Sequence, residues 1–309
     1  MIKNNIAFVN LNASFSPTIV ALAMGKFESL HLGHKALINE TKKIASKKGL
    51  PSAILIFDPH PTSVLTNQNY KPLFTQNERK HLLNKIGIEY VFIQNFDAKF
   101  ALLSPEDFCT KLFEKIIPQE IVVGSNYKFG HKRSGTIETL INGVNKYSSN
   151  INVLDAIKMG SDEISTSNIR EYLSDNDLIG AANLLGFPFF IMGKVEEGRK
   201  LGRTIGFPTL NIYPEENKFL LQDGVYSTQT IVGNSKPKKS ITNIGFRPTL
   251  NEDIKKRSVE TFVIGENNFN LYDEEIKVEF LNFIRPEKKF NSLDELKYQI
   301  EKDIKSCVS

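Results

Sequence analysis

Between Gly198 and Asn211 the chain reads Gly198-Arg199-Lys200-Leu201-Gly202-Arg203-Thr204-Ile205-Gly206-Phe207-Pro208-Thr209-Leu210-Asn211. Evenly spaced glycines let backbone approach an anion closely, the cations attract it, and Thr209 and Asn211 offer neutral oxygens of the kind a hard cation such as Mg²⁺ accepts. The chemistry implied is phosphate binding, with Gly198, Arg199, Gly202, Arg203 and Gly206 around the anion and Thr209 and Asn211 at a metal. The glycines recur at every fourth residue with no Gly-Lys-Ser/Thr ending, so this is neither a Walker loop nor a dinucleotide fingerprint. Taken alone, such a loop ahead of a strand also fits an ordinary solvated turn.

A second constellation lies near the start. The apolar run Ile19 to Met24 ends at Gly25, and the segment to His34 places His31 and His34 three residues apart with Gly33 between them. A helical pattern follows from Lys35 to Lys48. Two histidines at a helix N-terminus can both face one anion, to which the helix adds free N–H groups and a positive partial charge. The same spacing also fits metal ligation or simple capping, although no third ligand is evident. Further on, Ser165-Thr166-Ser167 followed by Arg170 reads as another anion cradle at a helix start, or as a plain N-cap.

These residues need elements to hold them. Ile19 to Met24 and Ile54 to Phe57 are continuous apolar runs, as expected of parallel strands buried on both faces. Two short helices are expected between Arg170 and Pro188, ending at Gly186, where the domain boundary is placed. Beyond it, Val225 to Val232, Val259 to Ile264 and Ile276 to Ile284 alternate in the manner of antiparallel strands. A capping box at Ser292 and Glu295 opens a last helix, with Leu293, Leu296, Ile300 and Ile304 on the face expected to pack on a barrel.

Composition agrees with two ordinary domains: 309 residues, 40% of them apolar, 24% charged, and a net charge of +4. That balance excludes a nucleic-acid-binding tail or an acidic disordered segment and is compatible with small polyanionic substrates. Cys109 and Cys307 are too few and too distant for a disulfide framework, so a reducing cytoplasm is expected. No run is long enough for a secretory or membrane-spanning segment.

The motifs together resemble known families. Glu196 to Asn211 is similar to the glycine-rich signature of riboflavin kinases, with Leu210 where alanine is usual. In order after it, Asp223 to Tyr226, Thr242 to Thr249, Val259-Glu260 and Arg285 to Phe290 resemble the same family's later motifs. In the first half, Gly25 to His34 resembles the signature of cytidylyltransferase-like nucleotidyltransferases. Asp58 to Pro61, Val122 to Gly135 and Ile164 to Arg170 resemble motifs of its FAD synthetase branch. The usual Asp-Gly of the first signature is Glu28-Ser29 here, and Phe262 stands where the kinases often have histidine.

The resemblance implies an α/β nucleotidyltransferase domain with a Rossmann-like parallel sheet over 1–185, followed over 186–309 by an antiparallel β-barrel domain with a C-terminal helix. It implies a bifunctional riboflavin kinase and FMN adenylyltransferase acting on riboflavin, FMN and ATP with Mg²⁺, without nucleic acid or membrane partners. Gly25, Phe27, His31, His34, Asn126, Ser165, Thr166, Ser167 and Arg170 would hold ATP in the first domain, with His31 and His34 stabilising developing charge. In the second, Glu260 would be the catalytic base, and Arg285 and Phe290 would contact flavin. Three alternatives are a flavin-binding regulator that has lost catalysis, a kinase whose first domain has decayed, and a nucleic-acid-binding barrel. Against the last, no basic stripe is interleaved with aromatics.

Overall fold

The computed structural model describes residues 6–66, 70–159, 162–198, 201–247, 256–266 and 271–308. The chain packs as two compact units, Met1–Pro72 with Arg79–Thr166, and Leu73–Glu78 with Ser167–Ser309.

The first unit contains β1 (Ala7–Asn10), β2 (Thr18–Met24), α1 (Leu32–Lys48), β3 (Ser52–Asp58), α2 (Pro61–Leu65) and most of α3 (Gln76–Ile86). After them come β4 (Tyr90–Asn95), α4 (Ala98–Ala101), α5 (Pro105–Phe113), β5 (Ile116–Gly124), α6 (Ile137–Val144) and β6 (Asn150–Leu154). A two-residue hairpin, β7 (Lys158–Met159) with β8 (Asp162–Glu163), ends it. Strands β1 to β6 pair in parallel in the order β1-β4-β3-β2-β5-β6. Val20 to Met24 are wholly buried at the centre of this sheet, as their uninterrupted apolar run requires.

From β2 the chain winds outward through β3 and β4, then crosses back to place β5 on the other side of β2. The strand order therefore reverses between β2 and β5, the place where open parallel sheets bind ligands, beyond the strands' carboxyl ends. The register Met24↔Val123 sets Gly25 beside Gly124 there. Helix α1 starts at Leu32, earlier than the expected Lys35, because His31 is its N-cap and Nδ1 of that side chain accepts from His34 N–H at 3.2 Å.

The second unit holds α7 (Thr166–Ser174), which starts at the unit boundary, and then α8 (Leu178–Leu185), β9 (Phe190–Lys194), α9 (Leu201–Thr204) and β10 (Leu210–Ile212). It is completed by β11 (Gly224–Val232), β12 (Lys238–Arg247), β13 (Lys256–Val263), β14 (Glu275–Pro286) and α10 (Leu293–Val308). The strands pair antiparallel in the order β10-β13-β12-β11-β14-β9. The sheet curls until Glu196, just past β9, bridges Asn211 of β10, with Glu196 N–H donating to the Asn211 carbonyl at 2.8 Å. That bridge closes the barrel and pins both ends of the glycine-rich loop.

Inside the barrel, buried hydroxyls of Thr228, Thr230, Ser240, Thr242 and Thr261 form a chain of contacts at 2.8–2.9 Å. Each of these five hydroxyls thus has a partner, as a dry interior demands. Helix α8 stops where expected, Gly186 taking the left-handed conformation (φ 73°) as its cap. The capping box of α10 is shifted by one residue: Ser292 Oγ accepts from Glu295 N–H at 3.1 Å, but the Glu295 carboxylate accepts from Asn291 N–H. Leu293, expected on the packed face, is 52% exposed; the inward face is Leu296, Ile300 and Asp303.

The short segment Leu73–Glu78 counts with the second unit for a clear reason. Phe74 sits against Phe187, Phe189 and Phe190 at ring distances of 5.0–5.8 Å. Beside it the buried Lys218 ammonium donates to Glu78 at 2.6 Å and to the Leu73 carbonyl at 2.7 Å. Glu78 also accepts from Met192 N–H, so both charges are desolvated and partnered.

Candidate active sites

In the first unit, the loop from Gly25 to His34 leaves β2 at the switch point and turns into α1. The His31 and His34 rings stack with centroids 3.7 Å apart and planes at 11°. Both are buried, at 7% and 8% exposure. Because His31 Nδ1 accepts from the His34 backbone, the neutral ring carries its proton on Nε2 and can donate from there. Phe27 is buried beneath, its ring 5.1 Å from His34 and packed on the Cα of Gly25. Its ring therefore backs the histidine pair. Glu28, also buried, lies 3.5 Å from His60 Nε2.

Burial holds the His31 imidazole down to about 4, and burial together with the neighbouring His31 and Lys26 holds His34 well below its usual range. Both rings are neutral at pH 7. The consequence for stability has a definite sign. Below pH about 6.5 the unfolded chain takes up a proton at His31 that the folded chain refuses until about pH 4. Stability is therefore complete above pH 6.5 and falls as pH drops to 4, by about 3 kcal/mol from this group. Thermal midpoints of the ligand-free protein should decline across that window, and His31→Gln should flatten the decline. An unchanged slope in the variant would refute the assignment.

The remaining first-domain candidates divide between the units. Asn126, in the turn after β5, is exposed and donates to Glu163 at 3.0 Å. Ser165 and Thr166 belong to the first unit, and Thr166 Oγ1 lies 3.0 Å from Ser29 Oγ. Ser167 and Arg170 count with the second unit, where the Arg170 guanidinium lies 5.4 Å from the Phe219 ring centre.

In the second unit, three adjacent strands bring Asn211, Glu260 and Asn243 into one row, through the pairings Asn211↔Glu260 and Asn243↔Glu260. Ser258, two residues before Glu260 and so on the same strand face, donates to its carboxylate at 3.3 Å. Asn211 is buried and donates through Nδ2 to the Thr209 carbonyl at 3.3 Å, which leaves its Oδ1 lone pairs for a cation. The loop comes down close on this row. A Cβ at Gly198 would stand 2.4 Å from the Asn211 amide, and one at Gly202 would stand 2.2 Å from the Phe207 carbonyl. Gly206 turns with φ 89°. Arg199 lies outside the described residues, as does the side chain of Arg203.

Beneath the loop is a cavity of about 350 Å³. Gly202, Thr209, Asn243 and Glu260 line it together with Arg285 and Phe290. Arg285 is less free than its motif implies: it makes a two-pronged pair with Asp303 at 2.8–3.1 Å and stands 5.8 Å over the Phe290 ring. Several lining residues escaped sequence reasoning. Asn243 and Glu287 are bonded to one another at 3.0 Å, and Phe207 meets Phe262 edge-on at 5.3 Å. Asp303 comes from α10, and the only advance signal was its place three residues beyond Ile300 on the helix's inward face.

A parallel α/β unit with a histidine pair at its switch point, and a closed barrel with a carboxylate under a glycine loop, define a two-site nucleotide-dependent transferase. The sequence matches the FAD synthetase family over residues 14–168 and the riboflavin kinase family over 185–309. A bifunctional riboflavin kinase/FMN adenylyltransferase of Listeria monocytogenes is 34% identical, the match covering 91% of this chain and 89% of that one. The Escherichia coli K12 enzyme of the same name is 33% identical, covering 91% and 90%. A Streptococcus pneumoniae crystal structure described as a macrolide-efflux protein superposes with a TM-score of 0.85 at 25% identity, covering 98% and 99%. Among the described residues no helix here is long and apolar enough to cross a membrane. The chain belongs to the bifunctional riboflavin kinase/FMN adenylyltransferase family.

Proposed function

We propose that this chain converts riboflavin to FMN in its barrel and FMN to FAD in its α/β domain, each step using one ATP. The observation that carries the reading is the row Asn211–Glu260–Asn243 under the glycine loop, in a chain that also presents the stacked His31–His34 pair.

In the kinase step the terminal ribityl hydroxyl forms a new O–P bond to the γ-phosphorus. Its proton passes to Glu260, and the bond from the γ-phosphorus to the bridging oxygen breaks to release ADP. The aromatic-lined cavity suits a planar flavin ring in size, with Phe290 and Arg285 at its wall. Thr209 and Asn211 fit a divalent cation by donor chemistry: neutral oxygens beside a carboxylate. Bound there, Mg²⁺ would offset phosphate charge. Gly198, Gly202 and Gly206 admit the phosphates to the backbone, and Arg199 and Arg203 add charge.

In the adenylyl step an FMN phosphate oxygen attacks the α-phosphorus of ATP and pyrophosphate leaves, so no protein nucleophile is consumed. His31, through Nε2, and His34 both donate to the charge that builds on the transferring phosphates. Asn126, Ser165, Thr166, Ser167 and Arg170 grip ATP, with Gly25 giving it room. Incubation with riboflavin, ATP and Mg²⁺ should yield FMN and then FAD on chromatographic separation. Recovery of unchanged riboflavin would refute the kinase assignment, and accumulation of FMN without FAD would refute the adenylyl assignment.

We place the domains at 1–185 and 186–309. A fragment of 186–309 then lacks Glu78 and the Leu73 carbonyl, leaving the buried Lys218 ammonium without its partners. Removing one partner of such a pair costs about 3–5 kcal/mol. Expressed alone, the fragment should melt well below the barrel in the full chain, and Lys218→Met in the fragment should recover part of the loss. A fragment as stable as the full chain, or one not improved by the substitution, would show that the pair is not what limits independence.

A further inference from the structure

The loop between β2 and α1 carries one hydroxyl that the reaction scheme leaves unused. Ser29 is wholly buried, and it sits between Phe27 and Leu30, whose φ angles of 43° and 49° are left-handed. Such angles cost energy in residues other than glycine and persist only where surrounding contacts hold them. Ser29 Oγ lies 3.0 Å from Thr166 Oγ1. Thr166 is therefore held against the loop through the Ser29 hydroxyl. Just beyond the loop, a Cβ added to Gly33 in the first turn of α1 would stand 3.8 Å from the Ile164 carbonyl, so the segment before Thr166 runs close by.

We propose that Ser29 is a positioning residue for nucleotide binding: it donates its proton to Thr166 Oγ1 and so aims the Thr166 hydroxyl at an ATP phosphate. This rests on the reading that Thr166 contacts ATP. A hydroxyl carries one proton and two lone pairs. Thr166 can give its proton to an anion only if its contact with Ser29 is made by accepting. Ser29, buried with no solvent to compete for its proton, is suited to supply that bond. A polarised pair of this kind also strengthens the terminal donor.

The test uses the full chain and measures KM for ATP and kcat in FAD formation from supplied FMN, with thermal midpoints as the control for folding. Ser29→Ala should raise KM for ATP about fivefold while leaving kcat within about twofold, the pattern of a lost ground-state contact worth one neutral hydrogen bond. Thr166→Val should raise KM at least as much, Thr166→Ser should keep the parent value, and Ser29→Ala combined with Thr166→Val should be no worse than Thr166→Val alone. If Ser29→Ala lowers the thermal midpoint, Ser29→Cys, similar in size and a weaker donor, should give the same KM pattern. A raised KM in Thr166→Val with a parent KM in both Ser29 variants would overturn the positioning role and leave the ATP contact standing. A parent KM in Thr166→Val would overturn the ATP contact itself, and the proposal with it.

Discussion

Glu260→Gln should reduce FMN formation from riboflavin by about a hundredfold or more and leave FAD formation from supplied FMN at the parent rate. Glutamine keeps the shape and can still accept from Ser258 Oγ, which donates to the carboxylate in the parent at 3.3 Å. What it cannot do is take the hydroxyl proton, and general-base catalysis is worth about 10² to 10⁴ in rate. The row of Asn211 and Asn243 on either side holds the position of residue 260 through strand pairing, not through its charge, so the variant should fold. Initial rates in the two separate assays decide the matter. A variant that phosphorylates riboflavin at the parent rate would remove Glu260 from catalysis, and one that loses both activities together would show that the two sites are coupled.

The converse holds for the histidine pair. His34→Gln and His31→Gln should each slow FAD formation from FMN by about 10² to 10³, the usual cost of removing one positioned donor to transition-state charge, while FMN formation is spared. The two should also be strongly non-additive. The rings stack at 3.7 Å, so loss of either removes the surface that holds the other in place. Because burial keeps both rings neutral at pH 7, they act as neutral donors in the ligand-free enzyme. Full adenylyltransferase activity in the double variant would show that the pair only caps α1.

The two kinds of information divide along a physical line. Local chemistry was legible from the residues: a glycine loop with cations, histidines at a helix start, apolar runs that must be parallel strands, alternating strands that must curl into a barrel, and a glycine that ends α8. Each depends on residues close together in the chain, where spacing alone sets which groups share a face or a turn. Two candidate anion-binding segments, a parallel sheet in the first half and an antiparallel barrel in the second followed from such signals, while their reading as nucleotide sites came from the family resemblance.

What only the tertiary structure decided are the meetings between residues far apart. The pairing of β2 with β5 places the histidine loop at the switch point, and the closing bridge from Glu196 to Asn211 makes the glycine loop a lid on the barrel. The Ser29–Thr166 contact, the neutralisation of Arg285 by Asp303, and the burial of Phe74 and Glu78 within the second unit have no local signature. The reason is that a hydrogen bond or ion pair between different elements, 18 residues apart for Arg285–Asp303 and 137 for Ser29–Thr166, is fixed by strand order, register and helix docking. These in turn depend on how all the apolar faces are buried at once, not on the spacing within any one segment.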